Sequence, residues 1–178
     1  FGTFWFNSAS VRFVEGGHPV EDRFEKERLK KLEALRARGM DPYGCRFESP
    51  VAIAQVTDDY REGLRLRVAG RVMAVRDFGK AAFADVHDST GKIQVYLHKE
   101  RLAEDYELFR LLDLGDIVGV DGELSKTRTG EITLFASHLR LLSKALLPPP
   151  EKWHGLRDVE TRYRRRYVDL FASPQVRE

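Results

Sequence analysis

The chain has 178 residues, 42% of them hydrophobic and 33% charged, with a formal net charge of only +2. That is enough apolar material for one good core and a small appendage, and too little net charge for binding polyanions by bulk attraction, so any nucleic-acid contact must come from local basic patches. The single cysteine, Cys45, excludes an intramolecular disulfide and points to a reducing compartment, and no run approaches membrane-spanning length.

The first twenty or so residues, FGTFWFNSASVRFVEGGHPV, are aromatic-rich, lack an initiating Met, and fit neither a signal peptide nor a periodic helix. Residues 1–21 therefore stay unassigned, and the chain reads as a piece at both ends. A helix is predicted from about Arg23 to Arg38. Asp22 and Glu25 form a capping box, Phe24, Leu29, Leu32 and Leu35 approximate an apolar stripe, and Gly39 stops it. Lys26, Arg28, Lys30, Lys31, Arg36 and Arg38 fall on the opposite face, which reads as solvated charge.

From Leu64 to Leu142 five short runs of alternating apolar residues follow: LRLRVAGRVMAVRDF, AAFADVHD, KIQVYL, DIVGVDGEL and EITLFASHLRLL. One helical segment, ERLAEDYELFRLL, sits between the third and fourth. Three strands, a helix and two strands is the order of a five-stranded Greek-key OB barrel, so the predicted class is all-β with helical appendages. Small Ala82, Ala84 and Val86 suit a narrow interior and turn Phe83, Asp85 and His87 outward. Ile93, Val95 and Leu97 likewise face in, with Lys92, Gln94 and Tyr96 out; Ile132 and Leu134 face in, with Glu131, Thr133 and Phe135 out. Gly70 lets the long first strand bend, so parity counted from Leu64 does not fix the face of Arg76.

This alternation puts an exposed Phe83 ring beside Gln94 and Glu131 on the barrel surface. A ring can stack on a base, an amide can pair with the Watson–Crick edge of uracil, a carboxylate can accept from a base N–H, and Arg76 can donate to a carbonyl or phosphate. On pattern alone, scattered surface residues explain the same set equally well.

The block GRVMAVRDFGKAAFADVHDSTGKIQVYLHKE, with LDLGDIVGVDGELSKTRTGEITLFASHLRLLSKALLPPPEKWHGLRDVETRYRRRYVDL, resembles the anticodon-binding domain and linker of class II lysyl-tRNA synthetases, from roughly Asp22 onward. In the lysyl, aspartyl and asparaginyl enzymes an Arg late in the first strand, a Phe in the second, a Gln in the third and a Glu opening the last surround the anticodon. The resemblance carries these roles to Arg76, Phe83, Gln94 and Glu131. KTRTGEITL and, more strongly, KALLPPPEKWHGLRDVETRYRRRYVDL favour the lysyl member; PPP at Pro148 to Pro150 departs from the family's usual apolar residue between two prolines. The resemblance also sets the N-terminal helix near the anticodon stem, where Lys30 and Lys31 would meet the tRNA backbone.

Beyond Pro148 the three prolines imply a stiff spacer, and VETRYRRRYVDLF a helix with Tyr163, Tyr167, Leu170 and Phe171 to one side and Arg162, Arg164, Arg165 and Arg166 around the rest. The predicted organisation is 1–21 unassigned, 22–63 helix and connection, 64–144 OB barrel, and 145–178 linker and beginning of a class II catalytic domain. No phosphate loop, dinucleotide fingerprint or nucleophile elbow occurs, and His18, His87, His98, His138, His154 and Cys45 lack metal-ligand spacing. No catalytic residue, metal or cofactor is therefore expected within these residues. For the complete enzyme the resemblance implies lysine activation with ATP and Mg²⁺, transfer to tRNA(Lys), a homodimer, a cytoplasmic location and no membrane partner. The alternatives are a stand-alone single-stranded nucleic-acid-binding OB protein and an aspartyl- or asparaginyl-type anticodon domain.

Overall fold

The computed structural model describes residues 19–44, 46–147, 159–164, 166–167 and 170. The aromatic N-terminal segment, Cys45 and the three prolines lie outside the described residues. Five strands, β1 (Arg65–Asp77), β2 (Ala81–His87), β3 (Lys92–His98), β4 (Ile117–Lys126) and β5 (Ile132–Ser143), close a barrel in the order β1-β2-β3-β5-β4. β3 and β5 pair in parallel and the other neighbours are antiparallel, the predicted OB connectivity.

The predicted interior holds. Ala82, Ala84, Val86, Ile93, Val95, Leu97 and Leu134 are all buried, joined by Val68, Val72, Val118, Val120 and Leu124, while Ile132 packs partly buried against them. Each Val, Leu or Ile side chain taken from water contributes about 1.5–3 kcal/mol. β1 serves both halves of the barrel, pairing with β4 through Arg71 and with β2 from Arg71 onward. At the handover Gly70 meets the carbonyl of His87 so closely that a Cβ would lie 2.5 Å from that oxygen. A bulge between Val72 and Ala74 then shifts the register, the break that makes parity uninformative for Arg76.

The connection after β3 is two short helices rather than one: α3 (Lys99–Leu102) and α4 (Asp105–Phe109). Ala103, at φ 47°, divides them. Leu102, Tyr106, Leu108 and Phe109 are buried where α3 and α4 close the barrel. At the opposite end of β2 and β3, a helix absent from the sequence reading, α2 (Ile53–Asp58), inserts Ile53 and Val56. The Ile53 and Ala54 N–H groups donate to Asp88 Oδ2 (2.9 Å) and Thr90 Oγ1 (3.0 Å) of the β2–β3 turn. Burial pushes the Asp88 carboxyl up, but hydrogen bonds from Ile53, Thr90 and Gly91 outweigh it and hold the group below its ordinary value.

The N-terminal helix α1 (Pro19–Ala37) starts earlier than predicted, with proline in its first turn, so Asp22 falls within the helix and not at its N-terminal boundary. Its end follows the prediction. Gly39, at φ 74°, takes a left-handed turn while its N–H donates to Arg36 O and that of Met40 to Leu35 O, a Schellman closure. Phe24 is exposed, and the face that docks is Leu32 and Leu35 together with Arg28 and Lys31. Arg28, only 6% exposed, donates to the carbonyls of Ala145 (2.8 Å), Leu147 (3.1 Å) and Leu114 (2.9 Å). Lys31 Nζ binds Asp113 Oδ1 at 2.6 Å, and the fully buried Lys144 ammonium bridges Asp113 Oδ2 (2.6 Å) and Asp116 Oδ2 (2.8 Å). After the barrel a further helix, α5 (Val159–Arg164), carries an Arg164–Glu160 ion pair and an exposed Tyr163.

Asp116→Ala is expected to lower unfolding free energy by about 3–5 kcal/mol, the cost of removing one partner of a buried ion pair, because Lys144 keeps only Asp113 and the Asp113 and Ala145 N–H groups lose their acceptor. Burial raises the Asp113 carboxyl, yet hydrogen bonds from Lys144 and Lys31 prevail and its folded pKa is depressed. Its contribution is therefore present above the unfolded value of about 3.9 and disappears as pH falls toward the folded pKa. Urea midpoints between pH 6 and pH 3 should drop less in Asp113→Asn than in the parent protein.

Candidate nucleic-acid interface

The outer face of β2, β3 and β5 carries two cross-strand rows. Register aligns Phe83 with Tyr96 and Tyr96 with Phe135, and two residues along it aligns Asp85 with Gln94 and Gln94 with Thr133. One row is aromatic and the other polar.

In the aromatic row the Phe83 and Tyr96 centroids are 5.0 Å apart and those of Tyr96 and Phe135 5.1 Å, both tilted. His98 stacks on Tyr96 at 6.0 Å, and the Arg101 guanidinium lies 5.7 Å from the Phe135 centroid. Phe83 is thus half-buried by its neighbours and not the free-standing ring the alternation implied. Outward parity was legible for Tyr96 and Phe135, but their meeting across β3 and β5 required the parallel pairing of those strands.

In the polar row Gln94 is on the outer face, as expected, but is only 7% exposed. Its Nε2 donates to Glu131 Oε2 (3.0 Å) and its Oε1 accepts from the buried Thr133 hydroxyl (2.9 Å). The expectation of a surface amide is corrected: Thr133 and Glu131 enclose it, while Glu131 itself is exposed. This pairing orients the amide and leaves one N–H and one lone pair of its inventory for another partner. An amide so oriented offers a donor and an acceptor side by side, the complement of an imide edge.

Arg76 is paired with Phe83 by strand register, and its Nη2 binds Asp85 Oδ1 at 3.1 Å. Both partners are substantially solvated, so this bond contributes little stability and can be exchanged for another anion. The structure therefore brings Gln94 and Glu131 into direct contact and sets Phe83 and Arg76 on the same face beside them. Lys30 is exposed. Lys31, expected at a tRNA backbone, instead spends its ammonium on Asp113 and the Leu112 carbonyl, because α1 presents that side to the barrel. Among the described residues no three His, Cys, Asp or Glu side chains converge as a metal site, and no helix is long and apolar enough to cross a membrane.

A closed five-stranded barrel with aromatic and hydrogen-bonding side chains across β2, β3 and β5 defines a nucleic-acid-binding OB domain. Residues 66–142 match the tRNA anti-codon family, described as an OB-fold nucleic acid binding domain. The chain is 48% identical to the lysine–tRNA ligase of Carboxydothermus hydrogenoformans across 90% of its own length and 34% of that protein. It is 48% identical to that of Pelotomaculum thermopropionicum over 93% of the chain and 34% of the relative, and 46% identical to that of Syntrophomonas wolfei over 86% and 32%. The chain spans about a third of the length of these relatives. It belongs to the lysine–tRNA ligase family and contains that family's anticodon-binding OB domain.

Gln94→Glu would set two carboxylates at hydrogen-bond distance. At pH 7 it should cost about 1–3 kcal/mol of folding stability, with part recovered at pH 5 as one of the raised carboxyl pKa values allows protonation. Urea unfolding at the two pH values measures this; equal losses would contradict the Gln94–Glu131 contact.

Proposed function

We propose that the barrel binds the anticodon loop of tRNA(Lys) and reads a uridine in it. The observation that carries this reading is the adjacency of the Phe83–Tyr96–Phe135 row to the oriented Gln94–Glu131 pair on the outer face of an OB barrel. An unstacked base laid on the Phe83 ring has its edge toward the polar row. Gln94 supplies a donor for a uracil carbonyl and an acceptor for the uracil N3–H; Glu131 can accept an exocyclic or ring N–H; Arg76 exchanges Asp85 for a carbonyl or phosphate. Cytosine presents an acceptor at N3 and a donor at C4, the reverse order, and leaves a buried amide mismatched. Exposed Lys30 contributes to phosphate contact from α1, while Lys31 acts indirectly by fixing the helix to the barrel.

In this reading residues 22–63 form the helix and connection that dock on the barrel, 64–144 the anticodon-binding domain, and 145–178 the linker and first part of a class II catalytic domain. The complete ligase, a cytoplasmic homodimer, activates lysine with ATP and Mg²⁺ and transfers it to tRNA(Lys). Those steps are assigned to the two thirds of the relatives' length outside the matched region. Asp113 and Asp116, the carboxylates that converge beside α1, already hold the Lys144 ammonium and do not suit Mg²⁺.

Gln94→Ala should lose about 1–3 kcal/mol of discrimination between uridine and cytidine at the recognised position, measured with anticodon stem-loops that differ only there. Equal weakening toward both would assign Gln94 a packing role. Phe83→Ala should weaken stem-loop binding by about 1–3 kcal/mol and cost less folding stability than the roughly 3–5 kcal/mol of a fully buried Phe. Calorimetric melting and binding titration of the same preparation separate the two effects.

A further inference from the structure

The β1–β2 turn holds an aromatic residue that the recognition face described above leaves unused. Phe78, at the tip, is 69% exposed, far more than Phe83, and its ring meets Phe83 edge-on with centroids 6.3 Å apart and planes at 82°. Exposed apolar residues are common on protein surfaces, and connecting loops are ordinarily more mobile than the elements they join. This turn is held on every side. The Phe78 N–H donates to Ala81 O (2.8 Å), the Gly79 N–H to Asp77 Oδ1 (2.7 Å), and the Lys99 N–H to Lys80 O (2.9 Å). From beneath, the phenol of the buried Tyr106 donates to the Gly79 carbonyl, so the helix that closes the barrel also fixes the turn. A large ring kept in water on a preorganised turn loses little entropy when a partner arrives. Exposed Arg76 and Lys80 flank it with positive charge suited to phosphates.

We infer that Phe78 is a second base-stacking position, taking the nucleotide next to the one stacked on Phe83; this rests on the reading of the barrel as an anticodon-binding domain. Because the two rings are nearly perpendicular, two bases lying on them cannot remain stacked on each other. The geometry therefore selects a loop whose neighbouring bases are splayed and disfavours a continuous helical stack. Stacking alone accepts any base, so Phe78 adds affinity and loop shape, and the hydrogen bonds of Gln94 and Glu131 add identity.

The test uses the full chain and a uridine-rich RNA hairpin loop, with fluorescence anisotropy as the readout and each loop nucleotide replaced in turn by an abasic residue. Phe78→Ala should weaken binding roughly five- to a hundredfold with an unchanged melting curve. One abasic position, adjacent to the position that matters for Phe83, should weaken the parent protein but cost Phe78→Ala nothing further. Phe78→Trp should retain affinity and Phe78→Leu should lose it. If Phe78→Ala or Phe78→Leu binds like the parent while Phe83→Ala is weakened, the inference is overturned and the anticodon reading stands. A change in sedimentation without a change in RNA affinity would make Phe78 a self-association residue and likewise overturn it. Failure of the parent protein to bind the hairpin would overturn both.

Discussion

The Lys144 ammonium, buried between Asp113 and Asp116, is the constraint on which the arrangement of this molecule depends. It sits where the last strand leaves the barrel, and its carboxylate partners sit where β4 begins, so one cation ties the two edges of the chain's final hairpin. The second oxygen of Asp113 holds Lys31, and Arg28 takes the carbonyls of Ala145, Leu147 and Leu114, so the same cluster attaches α1 and the start of the exit segment. Hydrophobic burial by Leu32 and Leu35 would leave α1 free to slide along the barrel. Hydrogen bonds of defined direction do not. A buried ion network of this kind adds less net stability than its Coulomb attraction implies, since each charge is desolvated, but it penalises every misdocked arrangement that leaves a charge unpaired.

The strands were legible because β2 and β3 obey a period of two with small or branched residues inward, and the closed interior leaves no other way to bury them. What was not legible arises where a charge or a backbone break decides the structure. Arg28 and Lys31 look like members of a solvated face because a sequence does not show which carbonyls and carboxylates a fold will gather beneath a helix. The helix α2 is only six residues long and draws its N-terminal hydrogen bonds from Asp88 and Thr90, more than thirty positions away, so no local cap announced it. A single helix was the natural reading of residues 100–112, yet Ala103 takes a left-handed φ and divides it.

The candidate recognition face was legible in composition and only partly in environment. Parity placed Phe83, Gln94 and Glu131 outward, but a residue on the outer face of a sheet is exposed only if its cross-strand neighbours are small. Here Tyr96, itself backed by Phe135, crowds Phe83, while Thr133 and Glu131 cover Gln94. The cover over Gln94 and the backing of Tyr96 depend on β3 lying beside β5, a contact between runs nearly forty residues apart whose register no hairpin sets.

In the proposed reading, enclosure of Gln94 favours recognition. A fully solvated amide rotates between two nearly isosteric orientations and discriminates poorly, because either orientation can answer either edge of a base. The Thr133 hydroxyl can donate to the amide oxygen but the Glu131 carboxylate can only accept, so together they favour one orientation before any ligand is present. The cost of choosing between orientations is met on folding, and the water excluded from the site strengthens each remaining hydrogen bond while making a mismatched one more expensive. In that reading the aromatic row has a simpler task, to hold a base flat at the distance where that fixed amide can test its edge. Specificity on this barrel, in the proposed reading, follows from an interaction within the protein, and the same contact that hides Gln94 from solvent gives it a single question to ask of a base.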